Sequence, residues 1–207
     1  MTTTNWNKIP PPPRPNGINQ FPGISEPFEL SLKSIPDQTE NDPKYLDLMQ
    51  ITRKNQEIRV LAQWQKVVSC SASPATPFSQ LVSVTNGTAI TNSQTQQYSA
   101  SMGVSGDMGS ISASITETFS HSVTFSTATT VSDTFSVTPK SGEVSIVWWQ
   151  LVHIFILTGT EELTMKGQVI KSGHYKSIVS NHLKTFVATS FPKNAEVETK
   201  GLEDFLH

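Results

Sequence analysis

From Ser110 to Thr138 every even position is Ser or Thr except Ala128, while the odd positions carry Ile111, Ala113, Ile115, Phe119, Val123, Phe125, Val131, Phe135 and Val137. Side chains of an extended chain point alternately to opposite faces. The pattern therefore predicts strand with one hydroxyl face and one largely apolar face. At roughly 3.3 Å per residue the run would reach on the order of 90 Å, against an ordinary strand of about 5 to 6 residues. A bend is expected near Thr127–Thr130, where the apolar face lapses. An elongated body follows from this reading.

A second alternating stretch comes before it. Tyr98, Ala100, Met102 and Val104 alternate with Gln97, Ser99, Ser101 and Gly103, and the flexible run Ser105–Gly109 separates the two. The apolar residues are even-numbered before this run and odd-numbered after it. Pairing Val104 with Ile111, Met102 with Ala113, Ala100 with Ile115 and Tyr98 with Glu117 puts both sets on one face. The expectation is an amphipathic β-hairpin over about residues 94–119, with Gly106, Asp107 and Gly109 at its turn.

Elsewhere the period is also two. Ile58, Val60, Ala62 and Trp64 alternate with Arg59, Leu61 and Gln63, and a strand from Phe78 to Val84 is expected to end at the turn signal Asn86-Gly87. Val144–Leu157 is apolar on both sides around Trp148-Trp149, which predicts a strand covered on both faces. Further strands are expected over 163–170 and 175–188, with the charged tail after Pro192 capping the body or fraying. Near the N-terminus Pro10–Pro13 and Pro15 predict a polyproline II rod, and Pro22, Pro27, Pro36 and Pro43 argue against regular structure. Asp42-Pro43 reads as a helix start with Tyr45, Leu46 and Met49 on one face. The chain then divides into a Pro-rich irregular arm, 1–43, and an elongated β domain, 44–207, with one short N-terminal helix.

Composition narrows the chemistry. The 207 residues carry a net charge of -2 with 15% charged side chains, so no basic field for nucleic acid exists. The lone Cys70 excludes an internal disulfide and reads as a small buried residue. No phosphate-binding glycine loop, nucleophile elbow or metal-binding histidine pair occurs, which argues against an enzyme and against a bound cofactor or metal. Glu117 and His121 put polar atoms on the otherwise apolar face; they read as a solvent-touching patch or as a pH-sensitive latch. No apolar run reaches the roughly 18 to 20 residues of a spanning helix, and no ordinary signal peptide is evident. The expectation is a protein made soluble that acts extracellularly after release.

The hairpin has two uses. It can simply cover the sheet, or it can detach and join copies of itself in a membrane. Residues 96–104 and 111–119 match the roughly 9 to 11 residues of a transmembrane strand. A lone hairpin would leave unsatisfied backbone in lipid, so only a closed oligomeric barrel suffices. In that barrel Tyr98, Ala100, Met102, Val104, Ile111, Ala113, Ile115 and Phe119 would face lipid. Gln97, Ser99, Ser101, Ser112, Ser114 and Thr116 would face the lumen.

From about Val82 to Leu157 the sequence resembles the aerolysin-like β-pore-forming toxins, in particular the epsilon-toxin/Mtx2-type branch. The resemblance is carried by Val82-Ser-Val84-Thr-Asn86-Gly-Thr88, the polar strand with Gln94 to Tyr98, the Ser110–Val137 alternation, and Pro139-Lys-Ser-Gly142-Glu-Val144 leading to Trp148-Trp149-Gln150. It implies an all-β, elongated fold of long twisted antiparallel strands, a target membrane with a receptor, a homo-oligomer, and a cytolytic or insecticidal pore. The N-terminal part is too short for the lectin-like domain of many members, and no cleavable C-terminal propeptide is evident. The competing expectation is a non-inserting β-sheet protein: a lectin-like module, a binary-toxin partner, or a shell or fibre subunit.

Overall fold

The computed structural model describes residues 5–16, 23–42, 44, 46–192 and 196–200. Three very long antiparallel strands form its axis: β3 (Leu46–Ala72), β6 (Val144–Met165) and β7 (Gln168–Phe191). The 27 residues of β3 extend on the order of 90 Å at strand rise. Shorter strands flank them: β1 (Phe28–Ile35), β2 (Gln38–Asp42), β4 (Phe78–Ala89), β5 (Thr129–Pro139) and β8 (Val197–Lys200). The order is β1-β3-β6-β7-β4-β5-β8, with β2 also paired to β3. The elongated, mostly antiparallel β-architecture is what the chain adopts, but its length comes from β3, β6 and β7 rather than from the alternating run at 110–138.

The central strand β6 has two cores because its two faces do different work. Val147, Trp149, Leu151, Phe155 and Leu157 look to one side, into a core with Ile58, Val60, Ala62 and Trp64 of β3. Val144, Ile146 and Trp148 look to the other, against Phe135 and Val137 of β5 and Val84 of β4. The continuous apolar run of the sequence thus marks a strand covered on both faces at this end. In β3 the extra residue Val67, between Lys66↔Trp149 and Val68↔Trp148, flips the strand. Even positions therefore serve one core up to Trp64 and the other from Cys70.

Four expectations are corrected. First, residues 94–119 are not strands here: α1 (Asn92–Met102) and α2 (Met108–Phe119) form a helical hairpin. Ile111, Ile115 and Phe119 are four apart, a spacing that satisfies a helical stripe as well as a strand face. The cap signals decide for helix. Thr91 and Gln94 form a capping box, Asp107 caps α2, and Gly103 closes α1 in the left-handed region. Second, the expected N-terminal helix is strand where it is described: Asp42 ends β2 and Leu46–Met49 begin β3, whereas Pro43 and Tyr45 lie outside the described residues. Residues 49–53 of β3 pair with β6 on one side, and 50–53 also pair with β2 on the other. That double ladder overrides a sparse helical signal.

Third, the region expected to be irregular contains β1 and β2; Pro27 and Pro36 bound β1 rather than abolish it. Fourth, Asn86-Gly87 is not a turn. β4 runs through it and changes partner there, from β5 over 78–86 to β7 over 87–89. Gly87 sits at φ +101°, and a Cβ would lie 2.8 Å from the Thr127 carbonyl oxygen, so glycine is required. Within the long alternating run, the stretch after α2 is irregular, with Val123 and Phe125 buried, and only Thr129–Pro139 is regular strand.

Candidate functional site: a clamped helical hairpin

The helical hairpin lies on the face of the sheet formed by β3, β6 and β7. From α2, Ile111, Ile115 and Phe119 are buried among sheet side chains, together with Tyr98 from α1. Burying each such side chain stabilises by roughly 1.5–3 kcal/mol. The helices contribute little on their own. Isolated helices shorter than about 12–15 residues are marginal, and α1, NSQTQQYSASM, is built mostly from weak helix formers. Its hydroxyls turn inward: Ser99 Oγ donates to the Thr95 carbonyl, and in α2 Ser112 Oγ donates to Met108 and Thr118 Oγ1 to Ser114. Such back-bonding satisfies the groups but does not favour helix.

A polar clamp completes the docking. The Tyr98 hydroxyl donates to the Phe155 carbonyl at 2.9 Å, in the floor of the site. Gln94 Nε2 donates to the Ile178 carbonyl at 2.7 Å, and Gln56 Nε2 donates to the carbonyls of Pro36 and Ser101. The Tyr175 hydroxyl donates to Gln56 Oε1 at 2.7 Å and lies 3.1 Å from Ser101 Oγ. It fits because Gly159 opposite has no side chain; a Cβ there would sit 2.6 Å from that hydroxyl. At the other helix, Ser112 Oγ accepts from the Phe125 amide, and Thr116 Oγ1 accepts from the Val123 amide. Asp107 ties the tip by accepting from the Ser110 amide and from the Ser105 and Ser110 hydroxyls.

Of the residues expected on a lipid-facing strand side, Tyr98, Ile111, Ile115 and Phe119 are buried against the sheet. Ala100, Met102 and Val104 are half-buried, and Ala113 is exposed. Of the expected lumen set, Ser99, Ser101 and Ser112 are buried, while Gln97, Ser114 and Thr116 are half-buried. The turn residues Gly106, Asp107 and Gly109 are exposed. The two sets are thus mixed by the helical period in this state. Sequence reasoning missed the clamp residues Gln56 and Tyr175; the legible signal was a polar Gln at an inward even position of β3.

Beside the hairpin, Trp6 stacks on His121 at 4.1 Å and meets His153 edge-on at 5.4 Å. Burial, with the nearby His121 charge second, lowers His153 to about 4, and burial also lowers His121. The arm is held farther along by Trp64 Nε1 donating to Pro10 and Thr189 Oγ1 donating to Pro13. Among the described residues no three His, Cys, Asp or Glu side chains converge as metal ligands, and no helix is long and apolar enough to cross a membrane.

Tyr98→Phe tests the clamp. Losing the buried hydroxyl is expected to cost about 1–2 kcal/mol, seen as a lower melting temperature and faster amide exchange in α1 before the sheet. Unchanged exchange in α1 would mean that the hydroxyl does not hold the helix.

This is a mostly antiparallel, elongated β-protein with a helical hairpin laid on its sheet. No family model and no curated protein matches the chain. Among solved structures it is similar to the crystal structure of Cry35Ab1, with a TM-score of 0.53 at 13% sequence identity, over 90% of this chain and 51% of that one. The chain therefore spans about half the length of that chain, and at this identity the likeness is one of fold alone.

Proposed function

We propose that the protein is a pore-forming toxin: it binds a target-cell membrane, oligomerises, and inserts residues of about 94–119 as an amphipathic β-hairpin of a shared barrel. The observation that carries this reading is a segment with two codes. It is helical here, yet its sequence also meets the length and alternation of a transmembrane hairpin. Its helices are weak without the sheet, so detachment removes what keeps them helical. In lipid, the unsatisfied backbone of a lone hairpin favours strand pairing between copies and closure of the ring. The similarity in fold to Cry35Ab1 supports a toxin-like architecture. The partners are then a membrane with its receptor and further copies of this chain, acting outside the producing cell.

A second reading, a non-inserting binding module, is favoured by the complete capping of both helices. A reducible crosslink separates the two. Cysteines at Gln94→Cys and Ile178→Cys, whose parent residues are hydrogen-bonded, would be joined by a short bis-maleimide whose spacer contains a disulfide. Cys70 is buried and pushed up to about 11 by desolvation, so it stays unreactive. Dye release from vesicles should stop on crosslinking and return on reduction. Binding without release by the parent, or release by the crosslinked form, would favour the binding module.

A further inference from the structure

At the far end of the long strands, away from β4, β5 and β8, the β6–β7 turn projects with the start of β3 beside it. Met165 pairs with both Met49 and Gln168, and Lys166 N–H donates to the Leu48 carbonyl at 3.2 Å. Lys166 and Gly167 both have positive φ, which makes a tight two-residue turn. Around it Leu48 is 55% exposed, Met165 45%, Val169 54% and Ile170 48%. Four large apolar side chains at one projecting tip are a patch rather than scattered exposure.

Their arrangement says what covers them. Thr164 pairs with Val169 and Met165 with Gln168, so Val169 and Met165 are on opposite faces of the hairpin. Leu48, next to Met49, is on the Val169 side. A protein partner laid on the sheet would cover one face; a tip dipped into an interface wets both with apolar medium. The charge agrees. From Leu163 to Ser172 the formal charge is +2, from Lys166 and Lys171, and Asp47 beside Leu48 leaves the tip as a whole at +1. The carboxylates just behind, Glu161 and Glu162, are engaged by Arg53 at 3.1 Å and Lys54 at 2.6 Å. Apolar side chains with lysines beside them suit the boundary of acyl chains and anionic headgroups.

We propose that this β6–β7 tip is the docking point on the target membrane, a bilayer surface bearing anionic headgroups. The assignment rests on reading the chain as membrane-active, and it places first contact at the strand ends just beyond Arg53 and Glu161, which line one cleft with Val104 and Gly106 of the helical hairpin. The test is co-sedimentation of the full chain with phosphatidylcholine vesicles, with and without about 30% phosphatidylserine, followed by dye release from the same vesicles. The parent should bind the anionic vesicles more tightly. One lysine near an anionic surface contributes about fivefold in affinity, so Lys166→Gln with Lys171→Gln should weaken binding roughly 25-fold. Met165→Ser with Val169→Ser should weaken binding to both vesicle types. All four positions are exposed, so melting temperatures should match the parent.

Equal binding of the parent to both vesicle types, or parent-like binding by the variants, overturns the docking assignment. So does loss of self-association by the tip variants with lipid binding intact, because β7 from Gln168 to Val179 pairs with β6 alone among the described residues and would then be an interface between copies. Dye release that ignores the tip variants leaves the pore reading standing without this docking site. Tip-dependent binding without release leaves the docking site standing without the pore.

Discussion

Ala113→Lys should abolish membrane permeabilisation while leaving the folded monomer as stable as the parent. In the helical state Ala113 is exposed on α2, so a lysine there meets water, and Lys is a good helix former. In the proposed barrel the same position is at mid-strand on the lipid side, where a lysine costs roughly 2–4 kcal/mol per subunit. Summed over a ring, that cost prevents insertion. Ser114→Lys, one residue along, points into the lumen in the barrel and is half-buried on the helix. It should keep the pore and shift its ion selectivity toward anions. The readouts are thermal melting of each monomer, dye release from vesicles, and single-channel reversal potentials. Parent-like release by Ala113→Lys would show that this segment does not enter lipid.

Acidification should loosen the same assembly. His153 is buried and neutral, its pKa held at about 4 by desolvation and by the His121 charge. An unfolded histidine titrates near 6.5. Between these values the unfolded chain binds the proton and the folded chain does not, so stability rises with pH across this window. The contribution is complete above about pH 6.5 and is lost as pH falls toward 4, on the order of 3 kcal/mol in all. Burial lowers His121 and His182 as well, and both act in the same direction. The residues packed at His153 add no carboxylate: it stacks edge-on with Trp6 and sits across the ladder from Ala62 and Asn181. Charging both rings would drive His121 and His153 apart, directly after the end of α2. Melting temperature should be flat above pH 6.5 and fall steeply below it, with vesicle leakage rising over the same range. His153→Phe should flatten the melting profile. A parent protein equally stable at pH 4.5 and 7.5 would remove this histidine pair as the sensor.

The local pattern of the chain determined the architecture. Alternation at Ile58–Trp64 and the two-sided apolar run at Val144–Leu157 can be satisfied only by extended strands with buried faces, and β3 and β6 are such strands. The candidate segment was legible as a unit, with its tip at Gly106–Gly109, because parity and turn residues are local properties. Its conformation was not. Ile111, Ile115 and Phe119 fit both periods, and Ser or Thr at every even position reads as a strand face while also being tolerated in a helix that returns each hydroxyl to a carbonyl. The Thr91–Gln94 box and the Asp107 cap emerge as helix signals only in the folded chain, against a local alternation over 97–104 and 110–119. Only the tertiary structure decided the matter, by offering a sheet face wide enough to take a helical stripe. The same holds for Leu46–Met49, drawn into β3 by partners distant in sequence, and for Asn86-Gly87, where close approach of Thr127 turned a hairpin signal into a change of partner. Gln56, Gly159 and Tyr175 form one clamp although they are far apart in the chain. No local pattern encodes that juxtaposition, because it arises from the register of three strands that meet only in the folded sheet.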